Sequence, residues 1–379
     1  MKPRFCSPQL VVALLSFACL PVARSANYNF TGTAIGGGSS TWSSGTGWSA
    51  VPVSGTSTSL QVFSGISFTG PGGTAGTYNL NNDISGMFEL NRLDLAGIGN
   101  TDATTTTVNL TGNTLSFVNN GTASPQIVLS AINFVNGQIN YNVLNNLNFV
   151  DNTAIVSGTS NNVNSTYNLG GIFSGKGDLH INAATLNNSQ KQVYFSGTSN
   201  NSRLYGGNIL LSGGALTLNS TAASNFQFYT AGDLEINRGT LFFGSGNNAT
   251  VSVLNFSGTG GSITGINTGY TLVVNGDDSA SRSFSGTVQR DLNLIHLGAG
   301  KLTMPAVTSG GLSNGYWRAG GSGTLSTPGI VSGKGPSTIY AQGTFEVTGT
   351  SGNVLGNSVS DLNFYGGALR FAPSGSNAN

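Results

Sequence analysis

The chain has 379 residues, of which 57 are glycine and only 7% are charged, 14 Lys and Arg standing against 13 Asp and Glu. Ordinary globular domains carry roughly 25% charged residues, so solubility must come from Asn, Ser and Thr, and the lack of a basic stripe argues against a nucleic-acid partner. Disorder is disfavoured as well, because hydrophobic residues make up 38% of the chain and include 20 Phe and 11 Tyr, enough apolar surface to drive folding.

At the start, Lys2 and Arg4 precede the apolar run Leu10 to Leu20, and Ala23-Arg24-Ser25 offers small residues at the two positions a signal peptidase reads. Residues 1–25 are expected to be a signal peptide, cleaved after Ser25 or Ala26. The run is too short to span a bilayer, which needs about 20 residues. Cys6 and Cys19 both lie in this segment, so the exported chain is expected to hold neither disulfide nor thiolate. Losing Lys2, Arg4 and Arg24 leaves 11 basic against 13 acidic residues. Export through such a segment would place the protein outside the cell or on its outer surface.

Residues 26–75, with Trp42 and Trp48 in a Ser/Gly-rich setting, are expected to cap one end of the fold. From residue 76 to 379 the chain reads as β repeats. Only three glutamates occur, Glu89, Glu235 and Glu346, and no window shows helical periodicity. Instead, short alternating apolar pairs recur: Val108/Leu110, Leu115/Phe117, Ile127/Leu129, Ile132/Phe134, Ile139/Tyr141 and Leu147/Phe149. These are shorter and closer together than antiparallel sandwich strands, which recur every 8–12 residues or so.

A motif runs through the region: glycine, a variable residue, Leu or Phe, another variable residue, then an apolar one. It starts at Gly112 (with one insertion), Gly177, Gly214, Gly232, Gly239, Gly300, Gly343 and Gly367. The two apolar side chains of each copy share one side of a strand. The residue between them is expected to face water, and the glycine to supply a φ > 0 corner. Asn145-Asn146, Asn161-Asn162 and Asn247-Asn248 suit corners too, since asparagine tolerates the left-handed region. About 15 coils of roughly 22 residues would result. No cap is visible after Phe371, so the repeats are expected to continue beyond Asn379.

These residues resemble the autotransporter-associated β-strand repeat of bacterial surface proteins. The best match runs from Tyr205-Gly206-Gly207-Asn208 through Gly213-Gly214-Ala215-Leu216-Thr217-Leu218. A second runs from Val354-Leu355-Gly356 to Gly366-Gly367-Ala368-Leu369-Arg370-Phe371, and the Trp42 to Ser49 segment is similar to the starts of such proteins. The resemblance implies an all-β, right-handed parallel β-helix (solenoid) with an N-terminal cap, displayed outside the cell as a structural or adhesive passenger. Membrane association would then come only through a C-terminal region absent from this chain.

Parallel β-helices also carry polysaccharide lyases and hydrolases, which need clustered carboxylates. Asp277-Asp278 is the one adjacent acidic pair; beside Asn275-Gly276 it reads more simply as a turn. Asp233 and Glu235 share one face of a strand, in positions that look equivalent to Asp178 and His180 and to Thr240 and Phe242. The two histidines, His180 and His296, lack partners at metal-ligand spacing and are expected on exposed strands. Tyr316, Trp317, Arg318 and Tyr340 form either a sugar-stacking shelf or packing beneath a loop. The reading is therefore a non-enzymatic surface β-helix with no catalytic residue, cofactor or metal. Its partner would be a surface polysaccharide or another extracellular ligand. The alternative is a carbohydrate-active enzyme or carbohydrate-binding protein.

Overall fold

The computed structural model describes residues 26–372 except 33–36, 69–75, 100–104, 133–136, 158–164, 184–191, 197–203, 220–226, 245–248, 266–269, 277, 290–291, 307–314, 330–337 and 350–360. The expected signal peptide with Cys6 and Cys19 lies outside the described residues. So do Phe134, Asn161-Asn162, Asn247-Asn248, Asp277 and Val354-Leu355-Gly356.

All regular elements among the described residues are β-strands, and successive strands of each sheet pair in parallel. The protein is a parallel β-helix. Its chain visits three faces in turn. Face one starts with Ala26–Phe30 and Thr58–Val62 and runs to Phe256–Ser257. A bridge between Gly258 and Phe284 carries it on into Arg282–Ser283 and finally Ala368–Phe371. Face two stacks ten strands from Gly38–Thr41 to Thr287–Val288. Face three runs from Phe88–Leu90 to Leu204–Tyr205, then from Gln227–Tyr229 to Asp361–Phe364. Face one has fourteen described levels, which at about 4.8 Å per step gives a stack on the order of 60 Å high.

The coil is not a constant 22 residues. Arg92 lies opposite Gln126, 34 positions on, whereas Thr324 lies opposite Thr344, 20 positions on. The turns shorten along the chain on average, though not steadily: Leu179 lies opposite Ile209, 30 positions on, and Thr344 opposite Ala368, 24 positions on. Connections between faces tolerate such insertions because loop-closure entropy grows only slowly with length.

Alternation fills the core. In Ile139–Val143 the apolar Ile139, Tyr141 and Val143 are fully buried, while Asn140 and Asn142 are only half-buried. Like residues stack on like from level to level: Phe117 over Phe149 at 5.4 Å, and Tyr141 over Tyr167 at 5.8 Å with rings 2° apart. The tyrosine hydroxyls that this buries find backbone partners. Tyr141 donates to the Ala96 carbonyl, Tyr167 accepts from the Ala131 amide at 3.1 Å, and Tyr205 meets the carbonyls of Gly177 and Asn208 at 3.0 Å. Burial pushes all three phenols above their usual range.

The glycine motif marks a corner, though not always for the expected reason. Gly112, Gly214 and Gly239 have φ of 95°, 84° and 87°, as a left-handed corner requires. Gly177, Gly232, Gly300, Gly343 and Gly367 do not; there a Cβ would lie 2.2, 2.0, 2.2, 2.5 and 2.3 Å from a carbonyl oxygen of the level below. Their glycine is a matter of clearance. Nor do the copies share one face: Leu179 and Leu234 enter face one, Leu216 and Leu241 face two, and Leu115 face three. The motif therefore marks corners into all three faces rather than one recurring face.

Corner asparagines are likewise not left-handed. Among described non-glycine residues only Phe63 has positive φ, at 61°. Asn145 is fully buried, and its amide donates to the carbonyls of Thr111 at 2.7 Å and Asn113 at 2.9 Å. The Asn146 side chain accepts from the Ile172 amide at 3.1 Å. Asparagine serves there as a side-chain bridge between levels.

Residues 47–49 pair antiparallel along the outer edge of Ala26–Phe30, with Thr31 donating to Gly47 at 2.9 Å and Ser49 to Asn29 at 2.8 Å. Trp42 and Trp48 fold over the core edge-on to one another at 5.6 Å, and Trp42 also meets Phe88 at 4.9 Å. In the last described level Leu362, Phe364 and Phe371 take the inward positions opposite Ile339, Ala341 and Val347, yet they are between 41% and 56% exposed because no further described level covers them.

Candidate functional site

Two outward features collect several of the residues that sequence reasoning singled out. The first is a groove of about 440 Å³ on face one, lined by Asp178, His180, Asn208, Asp233 and Glu235 among others. Strand register explains the gathering. His180 lies opposite Leu210, and Leu210 opposite Glu235, so they form one outward row. Thr240 and Phe242 belong to face two and are not their equivalents. His180 is exposed, as expected, and its Nε2 sits 2.7 Å from the Ser212 hydroxyl.

The carboxylates of this groove are occupied by the fold itself. At the corner leading into face one, Asn152 accepts the Asp178 amide at 2.9 Å, and Asp178 accepts the Asn208 amide at 2.8 Å. Asn208 in turn accepts the Asp233 amide at 2.9 Å, and Asp233 accepts from the Asn255 side chain at 3.0 Å. Asn and Asp alternate in a single ladder because either offers the oxygen that an amide at the corner needs. A second ladder runs up face two through Asn79, Asn109, Asn142 and Asn168, with amide links of 2.8, 2.8 and 3.3 Å. Neither ladder shows in sequence, since its members lie 22 to 33 residues apart.

Of the acidic pair Asp277-Asp278, the described member is exposed, accepts the Ala280 amide at 3.0 Å and pairs with Arg282 at 3.0 Å. That is the geometry of a turn. Among the described residues no group of three or more His, Cys, Asp or Glu is arranged to hold a metal ion.

His296 departs from expectation. It follows Leu292 and Leu294 on the inward side of its strand and is buried, with Nε2–H donating to the Gly300 carbonyl at 3.0 Å and Nδ1 left without a partner. Burial lowers its pKa below the ordinary 6.5, and the bond to Gly300 only partly opposes this. Above pH 6.5 both folded and unfolded chains are neutral here, so nothing is lost. Below it the unfolded chain takes up a proton that the folded chain resists, and stability falls with pH by at most about 1.4 kcal/mol per unit. Denaturation of the wild type and of His296→Leu between pH 7.5 and 5 checks this: the acid-side slope is expected to flatten in the variant.

Glu346, expected to face water, is buried between levels. Its carboxylate accepts from Lys301 and from the Ser326 hydroxyl at 2.9 Å, and Arg370 approaches its second oxygen at 3.5 Å. Desolvation pushes its pKa up, but these hydrogen bonds and the two cations outweigh that and hold it low. Its contribution is therefore present above the ordinary carboxyl value and is lost as pH falls through the lowered one. Because Lys301 and Arg370 are 39% and 67% exposed and can rehydrate, Glu346→Ala is expected to cost about 1–3 kcal/mol. The loss should be local, read as faster amide exchange in residues 324–327 and 344–347 and no change in residues 92–95 and 126–129.

The second feature is an open groove of about 400 Å³ on face three, lined by Tyr316, Arg318, Tyr340, Gln342 and Tyr365. Trp317, expected beside them, points the other way and is fully buried, opposite Leu294 and Ile339. Gln342 and Tyr365 are the members that sequence reasoning missed; both lie just past strand ends, at outward positions of the next two levels. Tyr340 sits edge-on to Tyr316 at 5.9 Å and nearly parallel to Tyr365 at 6.2 Å, and Arg318 donates to Gln342 at 2.7 Å. Comparison with protein-family models, curated proteins and solved structures finds no match to this chain, so the fold and these two grooves carry the functional argument.

Proposed function

We propose that the chain is an exported β-helix rod with a structural or adhesive role at the cell surface, in the manner of the autotransporter-associated repeats it resembles. The observation that carries this reading is the commitment of the polar surface to the rod. The carboxylates of Asp178 and Asp233, which an enzyme on face one would need, serve instead as rungs of the corner ladder. Expression of the full chain in a bacterial host tests it. The secreted or surface-exposed protein is expected to begin at Ala26 or Asn27 and to be removed from intact cells by added protease. An uncleaved chain retained inside the cell would overturn the proposal.

One observation favours a carbohydrate-active enzyme: Asp178, His180, Asp233 and Glu235 line a common groove. Release of sugar from a polysaccharide by residues 26–379, abolished by Glu235→Gln, would establish that reading in place of the first.

A further inference from the structure

We propose that the face-three strip of Tyr316, Tyr340 and Tyr365, with Arg318 and Gln342, binds an acidic oligosaccharide laid across three successive levels of the rod. This rests on the reading of the protein as an extracellular rod, and it names the ligand class.

Strand parity builds the strip. In Tyr316–Ala319 and Thr338–Ala341, Trp317, Ala319, Ile339 and Ala341 turn inward and are buried, which sends Tyr316, Arg318 and Tyr340 outward. Register then sets Arg318 opposite Tyr340, and Tyr340 opposite Asn363, one level after another. The result is a line of three rings at 5.9 and 6.2 Å spacing that climbs three successive levels and shifts two residues along the strands at each step. Its last member, Tyr365, is 62% exposed.

The chemistry of the strip fits a sugar chain. A pyranose presents an apolar C–H face that packs on an aromatic ring, and hydroxyls around its rim that need hydrogen-bond partners. Tyrosine supplies both ring and hydroxyl. Gln342 adds an amide at the same height, and the groove holds about 400 Å³ open to solvent along its length. Arg318 decides the charge of the ligand. It donates to the neutral Gln342 side-chain oxygen at 2.7 Å, and the rest of its planar fork offers further donors that suit a carboxylate. A polynucleotide would also offer negative charge and stacking, but it needs a row of cations to neutralise successive phosphates, and among the described residues lining this groove Arg318 is the one cation.

Titration of purified residues 26–379 with tetragalacturonate, tetramannuronate and the neutral cellotetraose tests the proposal by calorimetry. It is independent of how the protein is exported, so failure here and failure of the surface reading are separately visible. At least one uronate tetramer is expected to bind, and Tyr340→Ala to weaken it tenfold or more. Arg318→Gln is expected to remove the preference for the acidic over the neutral tetramer. Tyr365→Ala, at a largely exposed position, provides a second variant that leaves the core untouched and should weaken binding in the same direction. Absence of uronate binding at millimolar concentration would overturn the proposal. So would binding that survives both tyrosine variants, or cellotetraose bound as tightly as the uronates.

Discussion

Gly232→Val is expected to break the rod where the chain turns from face three into face one. A Cβ at this position would stand 2.0 Å from the Gly207 oxygen, 2.5 Å from its carbon and 2.9 Å from the Asn208 nitrogen. All three are backbone atoms of the level below, and none can rotate away as a side chain would. The level must therefore lift off its neighbour, parting Ile209–Gly213 from Leu234–Ile236. The expected cost exceeds about 4 kcal/mol, in the range reserved for core disruption. Because each level rests only on its neighbours, amide exchange should accelerate around residues 209–211, 234–236 and 256–257 while residues 316–319 stay protected. Gly366→Ala is the contrast. That glycine has φ of 86° and nothing within 4 Å of its Cβ, so only conformational strain of about 1–2 kcal/mol is at stake. Equal losses in the two variants would show that clearance is not what Gly232 provides.

Trp42→Ala should be nearly as damaging, at the opposite kind of site. The indole is fully buried, edge-on to Trp48 at 5.6 Å and to Phe88 at 4.9 Å. Truncating a buried tryptophan costs about 3–5 kcal/mol through lost contacts and the cavity left behind. The segment 42–49 is held by these rings, and it is this segment that covers the outer edge of Ala26–Phe30. Loosening it exposes a row of unpaired amides and carbonyls, a template for pairing with other chains. Two effects are thus expected together: early proteolytic cleavage within residues 42–62, and concentration-dependent association measured by light scattering. Trp42→Phe, which keeps an aromatic plug, should show both in weaker form. A variant that remains monomeric and protease-resistant would remove the tryptophan from this role.

Much of the fold was legible because a β-helix asks little of each strand. Period-two alternation puts one row inside, and pairs such as Val108/Leu110 and Ile139/Tyr141 announce their strands without reference to anything distant. Parity also held information that was passed over. His296 continues the inward row of Leu292 and Leu294, and its burial follows from that count alone. The stretch Tyr316-Trp317-Arg318 was harder, since two large aromatics in succession leave the inward side open until Leu294 and Ile339 are seen to lie opposite Trp317. What could not be read was the stacking. With the coil shrinking from 34 to 20 residues, no fixed period tells which asparagine will meet which, so the ladders through Asn208 and Asn142 stayed hidden. Glu346 shows the same limit, as its burial depends on Lys301, Ser326 and Arg370 from three other levels.

The shrinking coil also gives the molecule a graded mechanical record. Tension applied through the two ends of a solenoid peels whole turns from it, because the terminal level alone is tied to the pulled chain. Each turn released adds its own contour, about 70–120 Å for coils of this size at full extension. Turns near Arg92 would yield the long increments and those near Thr344 the short ones. A single stretched molecule would therefore disclose, from the lengths of its successive steps, the end from which it is coming apart.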